Sequence, residues 1–132
     1  MKQFRDTDKY VNKEGNVWKY WPEKRWEDKN GFQMIRLEKW KQMKPSVNRM
    51  GYNRFSFGSK KCGNHLFIEH HRMVAELYVP GYFEGAHVDH IDSNRLNNHY
   101  TNLQWCTKEY NSKKGNDSTF PLYSEWSKSQ QQ

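Results

Sequence analysis

The stretch Val88-Asp89-His90-Ile91-Asp92-Ser93-Asn94-Arg95-Leu96-Asn97-Asn98-His99-Tyr100-Thr101-Asn102-Leu103-Gln104-Trp105-Cys106-Thr107-Lys108-Glu109-Tyr110-Asn111 decides how the rest of the chain is read. Residues 86–90 have the pattern of a strand, 91–102 that of a long polar loop, and 103–106 that of a returning strand. Thr107 is a good N-cap for a helix through residue 114, which Gly115 terminates. The unit is strand, loop, strand, helix, and it holds an acid beside a histidine followed by a series of asparagines.

Immediately upstream, residues 70–79 predict a short helix. Met73, Val74, Leu77 and Tyr78 form its apolar face, and Pro80-Gly81 stops it. His70 and His71 point about 100° apart on such a helix, so a shared ion is disfavoured and a packed or capping role is expected for at least one. Further back, 51–57 and 65–69 predict an antiparallel hairpin, with Asn53, Phe55 and Phe57 on one face and Tyr52, Arg54 and Ser56 on the other. Residues 10–20 predict two short strands around an Asn/Glu/Gly turn. Asp28-Lys29-Asn30-Gly31 is a turn leading into a strand at 32–37, and 36–41 reads equally as a helical turn. After Gly115 the composition loosens, with Phe120, Leu122, Tyr123 and Trp126 available to fold back on the core and 127–132 expected to be disordered. The expected fold class is α+β, divided into a basic β-rich region at 1–69, a compact unit at 70–115 and a tail at 116–132.

The 132 residues suit one small domain with a thin core, because only 34% are hydrophobic while 16% are aromatic and bury much area each. The formal charge of +7 is unevenly placed. Residues 1–60 hold 15 basic and 7 acidic side chains, and residues 61–132 hold 7 and 8. A positive first half suggests a polyanionic partner there, and Arg49, Arg54, Lys60, Lys61 and Arg72 are its candidate contacts. A two-stranded ribbon carrying such residues is narrow enough for the major groove of DNA. The two cysteines, Cys62 and Cys106, make no Cys-x-x-Cys pair, which excludes the usual cysteine-rich zinc modules and any disulfide framework. No apolar run has membrane-spanning length and the N-terminal residues lack a hydrophobic signal region, so a soluble, cytoplasmic protein with no membrane partner is expected.

Phosphodiester hydrolysis needs water made basic, a cation on the scissile phosphate and stabilisation of the departing 3′ oxygen. His90 offers a base whose ordinary pKa lies near working pH, Asp89 an anionic oxygen, and Asn111 an amide carbonyl from the following helix. Oxygen donors favour Mg²⁺ or Mn²⁺ over Zn²⁺. One geometric difficulty follows: strand neighbours point to opposite faces, yet Asp89 and His90 must serve one phosphate. Asn102, beside the return strand, is placed to pin the loop by bonding across to His90 or its backbone.

Asp89-His90-Ile91-Asp92-Ser93-Asn94, with Asn97-Asn98, Asn102-Leu103-Gln104-Trp105 and 107–111, resembles the HNH endonucleases, specifically the homing endonucleases carried by phage introns. The signature positions fall at His90, Asn102 and Asn111, and Ser93 stands where the family often carries Gly. His71-Arg72-Met73-Val74-Ala75 resembles the helix that precedes this motif. Gly15-Asn16-Val17, Lys44-Pro45 and residues 51–55 resemble the family's N-terminal DNA-binding element. The resemblance implies a ββα-metal site with His90 as general base, Asp89 and Asn111 on one divalent ion, and Asn102 holding the hairpin. It also implies double-stranded DNA as partner and a nick as product, and a monomer on the DNA is expected. A DNA-binding module without catalytic activity is the main rival reading, and a small structural metal protein is disfavoured by the missing thiolate pairs.

Overall fold

A computed structural model describes residues 1–58, 63 and 65–130. Eleven strands and three helices are found among them. The strands β1 (Lys2–Gln3), β2 (Lys9–Val11) and β3 (Val17–Trp21) form a meander. Next, β4 (Lys24–Glu27) and β5 (Gln33–Arg36) make a separate two-stranded ribbon, and β6 (Lys39–Gln42) returns to pair with β3. The first sheet therefore has the order β1-β2-β3-β6. Residues 39–41, open in the sequence to a helical reading, are a strand because rings meet across it. Trp40 stacks on Tyr20 with centroids 4.4 Å apart and meets Tyr10 at 5.1 Å.

The next three strands, β7 (Ser46–Val47), β8 (Asn53–Phe57) and β9 (Leu66–Glu69), form a second antiparallel sheet, so the predicted hairpin is present with Phe55 opposite Ile68. The period-two reading holds for its inner face: Phe55 and Phe57 are buried and Ser56 is exposed. β9 runs straight into α1 (His70–Tyr78). Then β10 (His87–His90) pairs antiparallel with β11 (Leu103–Cys106), Asp89 facing Gln104 and His90 facing Leu103. The last elements are α2 (Lys108–Lys114) and α3 (Tyr123–Ser129).

One apolar core joins the two regions expected from sequence. Phe4, Val11 and Val17 from the first sheet pack in the same cluster as Phe55, Met73, Val74, Leu103 and Trp105. α1 is the shared wall, and Tyr78 ties it to the first sheet by donating its hydroxyl hydrogen to the Val11 carbonyl at 2.6 Å. The tail departs from the disorder expected at 127–132 over residues 127–129, where α3 continues through Ser129; residues 131 and 132 lie outside the described residues. Phe120, Tyr123 and Trp126 each set a ring 5.5 Å from that of buried Tyr110, which gives this helix an apolar anchor.

Candidate active site

Asp89 and His90 do point away from each other, and the difficulty raised by their adjacency is resolved at the edge of the strand. Asp89 shares a face with its cross-strand neighbour Gln104, whose side-chain amide donates to Asp89 Oδ2 at 2.9 Å. His90 turns to the side of α1, its ring 4.9 Å from that of His71 and 6.0 Å from that of Tyr52. Among the described residues β10 pairs only with β11, so its other edge is open. A pocket of about 240 Å³ lies there, lined by residues that include Asp89, His90, Ser93, Arg95 and Asn111. Two neighbours on opposite faces thus line one space beside the edge of β10 that β11 does not pair.

Lys114 is the principal residue that sequence reasoning missed. Its ammonium donates to Asp89 Oδ2 at 2.7 Å, to the His90 carbonyl at 2.8 Å and to the Ile91 carbonyl at 3.1 Å. In the sequence it is one lysine of a charged helix end. Only the i, i+3 and i, i+4 relationships place it on the inward face of α2 with Asn111 and the buried Tyr110. The helix begins as predicted, with Thr107 Oγ1 accepting from the Tyr110 amide at 3.1 Å.

The His90 imidazole is buried and held through Nε2 by Asn98 Oδ1 at 2.7 Å. Burial pushes its pKa below the ordinary imidazole value, an effect partly opposed by the bond to Asn98 and by Asp89 and Asp92. His90 is therefore neutral at physiological pH and able to accept a proton. Beside it, burial and the neighbouring His90, His70 and Arg72 push His71 down to about 3. As a neutral ring, His71 donates from Nε2 to Glu69 at 2.8 Å.

Asn102 pins the loop but bonds neither the imidazole nor the backbone of His90, contrary to both bonds expected for it; it holds the two residues that follow. Its carbonyl accepts from the Ile91 amide at 2.8 Å and its Oδ1 from the Asp92 amide at 3.1 Å. Its Nδ2 donates to Asp92 Oδ1 at 2.9 Å and to the Asn97 carbonyl at 3.0 Å. Short-range turns by Asx side chains shape the rest of the loop: Asp92 Oδ1 accepts from the Asn94 amide at 2.8 Å and Asn94 Oδ1 from the Leu96 amide at 3.1 Å. Ser93 has φ of 64°, a left-handed conformation that favours glycine.

Asp89 Oδ1 and the Asn111 side-chain amide make no hydrogen bond among the described residues, and both residues line the pocket at the strand edge. Two hard oxygen donors beside open space suit an ion that keeps several positions for water and phosphate, as Mg²⁺ or Mn²⁺ does. No group of three or more His, Cys, Asp or Glu side chains converges among the described residues, which does not suit a closed zinc centre.

The candidate DNA contacts are dispersed. Arg49 is exposed in the turn before β8. Arg54 lies flat on Phe67, its guanidinium carbon 3.7 Å from the ring centroid. Arg72 is engaged by Glu76 at 3.0 Å and lies 5.1 Å from the Trp105 ring centroid. Lys60 and Lys61 lie outside the described residues. Two basic features escaped the sequence reading. Arg95 borders the pocket with its guanidinium over Tyr52, and the β4–β5 ribbon, whose strand residues are all exposed, carries Lys24, Arg25 and Arg36 around Trp26. No helix is long and apolar enough to cross a membrane among the described residues.

Comparison with known proteins places this geometry. Residues 70–113 match the HNH endonuclease family. The chain is 37% identical over 82 residues to the DNA endonuclease I-HmuI of Bacillus phage SP01, covering 62% of this chain and 46% of that protein. It is 37% identical over 71 residues to an uncharacterised HNH endonuclease of Acanthamoeba polyphaga mimivirus, covering 54% and 21%. It therefore spans less than half the length of these two relatives. A solved structure of I-HmuI, describing DNA binding and cleavage by that HNH homing endonuclease, shares the fold with a TM-score of 0.60 at 29% identity, over 97% of this chain and 60% of that one. Over residues 70–113 the sequence matches the HNH endonuclease family, and the fold is similar to that of an HNH homing endonuclease.

Proposed function

We propose that the chain is a DNA endonuclease that hydrolyses one phosphodiester bond of duplex DNA at a time, leaving a nick. The observation that carries this reading is the common frontage of Asp89, His90 and Asn111 on the pocket at the open edge of β10. His90 is the general base: its neutral imidazole takes a proton from the attacking water as the new P–O bond forms and the bond to the 3′ oxygen breaks. Asp89 and Asn111 would hold one divalent ion, Mg²⁺ or Mn²⁺, which when bound would polarise the phosphate and offset charge on the leaving oxygen. Lys114 and Gln104 fix the Asp89 carboxylate by one oxygen and leave the other directed to its task. Asn102 holds the loop on which the base is mounted, and Arg95 supplies positive charge at the rim for a phosphate oxygen.

The likeness to I-HmuI, whose solved structure describes DNA binding and cleavage, supports DNA as substrate. The basic first half supports binding through the exposed ribbon and the β8–β9 hairpin, and the binding unit in this reading is a single copy of the chain. The test is conversion of supercoiled plasmid to the open circle with Mg²⁺ or Mn²⁺. The expected result is nicking by the wild type and loss of at least about 100-fold in His90→Ala with DNA affinity retained. Tight DNA binding without cleavage under either ion would favour a non-catalytic binding module instead.

A further inference from the structure

His90 Nε2 is connected to the N-terminal sheet by a chain of hydrogen bonds whose direction is fixed at its far end. The Gly15 carbonyl contacts His70 Nε2, and a carbonyl can only accept, so His70 carries its hydrogen on Nε2. His70 is half-buried and held below its ordinary pKa chiefly by desolvation, so the ring is neutral and its Nδ1 is a lone pair. Asn98 Nδ2, 3.2 Å away, must then be the donor to it, which turns Asn98 Oδ1 toward His90. An amide oxygen can only accept, so His90 Nε2, at 2.7 Å, carries the hydrogen and Nδ1 is left bare.

The start of this chain is built into the fold. The turn between β2 and β3 is closed by the Gly15 amide on the Asn12 carbonyl at 3.0 Å and by the Asn16 amide on Asn12 Oδ1 at 2.8 Å. It is seated against the loop by the Tyr100 amide on the Lys13 carbonyl at 3.3 Å. Gly15 has φ of 89°, and a Cβ there would lie 3.0 Å from the Asn98 carbonyl oxygen and 3.4 Å from His70 Nε2. Only glycine permits so close an approach.

We propose that the Gly15 carbonyl, His70 and Asn98 form a polarised relay that fixes the tautomer of His90 with Nδ1 free for the water proton. His70 and Asn98 are thereby positioning residues for the base. The inference rests on the reading of His90 as general base.

The test reads tautomers directly, by ¹⁵N–¹H correlation of the imidazole nitrogens in the metal-free full chain at pH 8.5, with His90 assigned by its loss in His90→Gln. The expected wild-type result is an Nε2–H form for both His70 and His90. An Nδ1–H form of His90 overturns the proposal without any variant having to fold. In Asn98→Leu, His90 should acquire a substantial Nδ1–H population and kcat for nicking should fall roughly 10- to 100-fold with KM for DNA unchanged. Retention of both the Nε2–H form and kcat overturns it. Asn98→Asp keeps an acceptor for His90 but has no hydrogen for His70 Nδ1, so His90 should stay in the Nε2–H form while His70 loses its fixed form; an Nδ1–H form of His90 in this variant would overturn the relay. If the wild type shows the stated tautomers but never nicks DNA, the nuclease reading fails and the relay stands. If it nicks with His90 in the Nδ1–H form, the reverse holds.

Discussion

Lys114 Nζ lies 2.7 Å from Asp89 Oδ2, with the two side chains only 1% and 9% exposed. A buried charge pair is costly to form and far costlier to halve, because the surviving ion is left without a partner or water. The same ammonium holds two carbonyls at the end of β10. Lys114→Met keeps the volume and removes the charge, and should lower unfolding free energy by about 3–5 kcal/mol in urea titrations. Adding Asp89→Asn should recover part of that loss, which a double-mutant cycle measures.

His71 gives the protein an acid-sensitive interior. Its pKa is about 3 in the folded chain, against an ordinary value of 6.5. Between these values the unfolded chain binds a proton that the folded one refuses, so stability rises with pH through this window and falls as pH drops below 6.5. The slope from this group is about 1.4 kcal/mol per pH unit. His71→Phe removes that contribution. The stability difference between wild type and variant should therefore shift against the wild type by about 2–3 kcal/mol between pH 7 and pH 4.5, read by denaturant unfolding at each pH.

Ser93 occupies a left-handed position with φ of 64°, and its buried Oγ has no hydrogen-bond partner. Ser93→Gly relieves both the backbone strain and the unsatisfied hydroxyl. An increase in stability of about 1 kcal/mol is expected, read as a rise in Tm of a few degrees.

The β4–β5 ribbon exposes all eight of its strand residues, including Trp26 and Ile35. Replacing Lys24, Arg25 and Arg36 together with Ala should weaken DNA binding and reduce the slope of log K against log salt by up to about 3, measured by fluorescence anisotropy. Arg54→Ala should change the slope less, because its guanidinium is stacked on Phe67.

The organisation of the site was legible where local rules suffice. Thr107 as cap, Gly115 as stop and the paired strands on either side of the loop follow from capping and alternation, which act within a few residues. The family resemblance at 70–111 agrees with the HNH match over 70–113. Contacts made across the fold were not legible. Lys114 acts through a residue 25 positions earlier, and His70 through Gly15, 55 positions away. Neither spacing leaves a periodic trace. The ribbon was underestimated for a related reason: its charges were visible, but only the pairing of β3 with β6 shows that 24–36 stand clear of the sheet. The tail was read as loose because its polar residues dilute three aromatic rings that close on Tyr110.

The asparagines of the 92–102 loop give it the character of a splint. Asn94, Asn97 and Asn102 are spent on the chain's own backbone and on Asp92, so the loop acquires its shape when the protein folds and not when a ligand arrives. A partner meeting this surface finds the conformational entropy of the loop already removed. Its association should proceed without a slow rearrangement of 92–102, and selectivity among partners must come from how well they fit a fixed outline, since little induced adjustment is left to reward one over another.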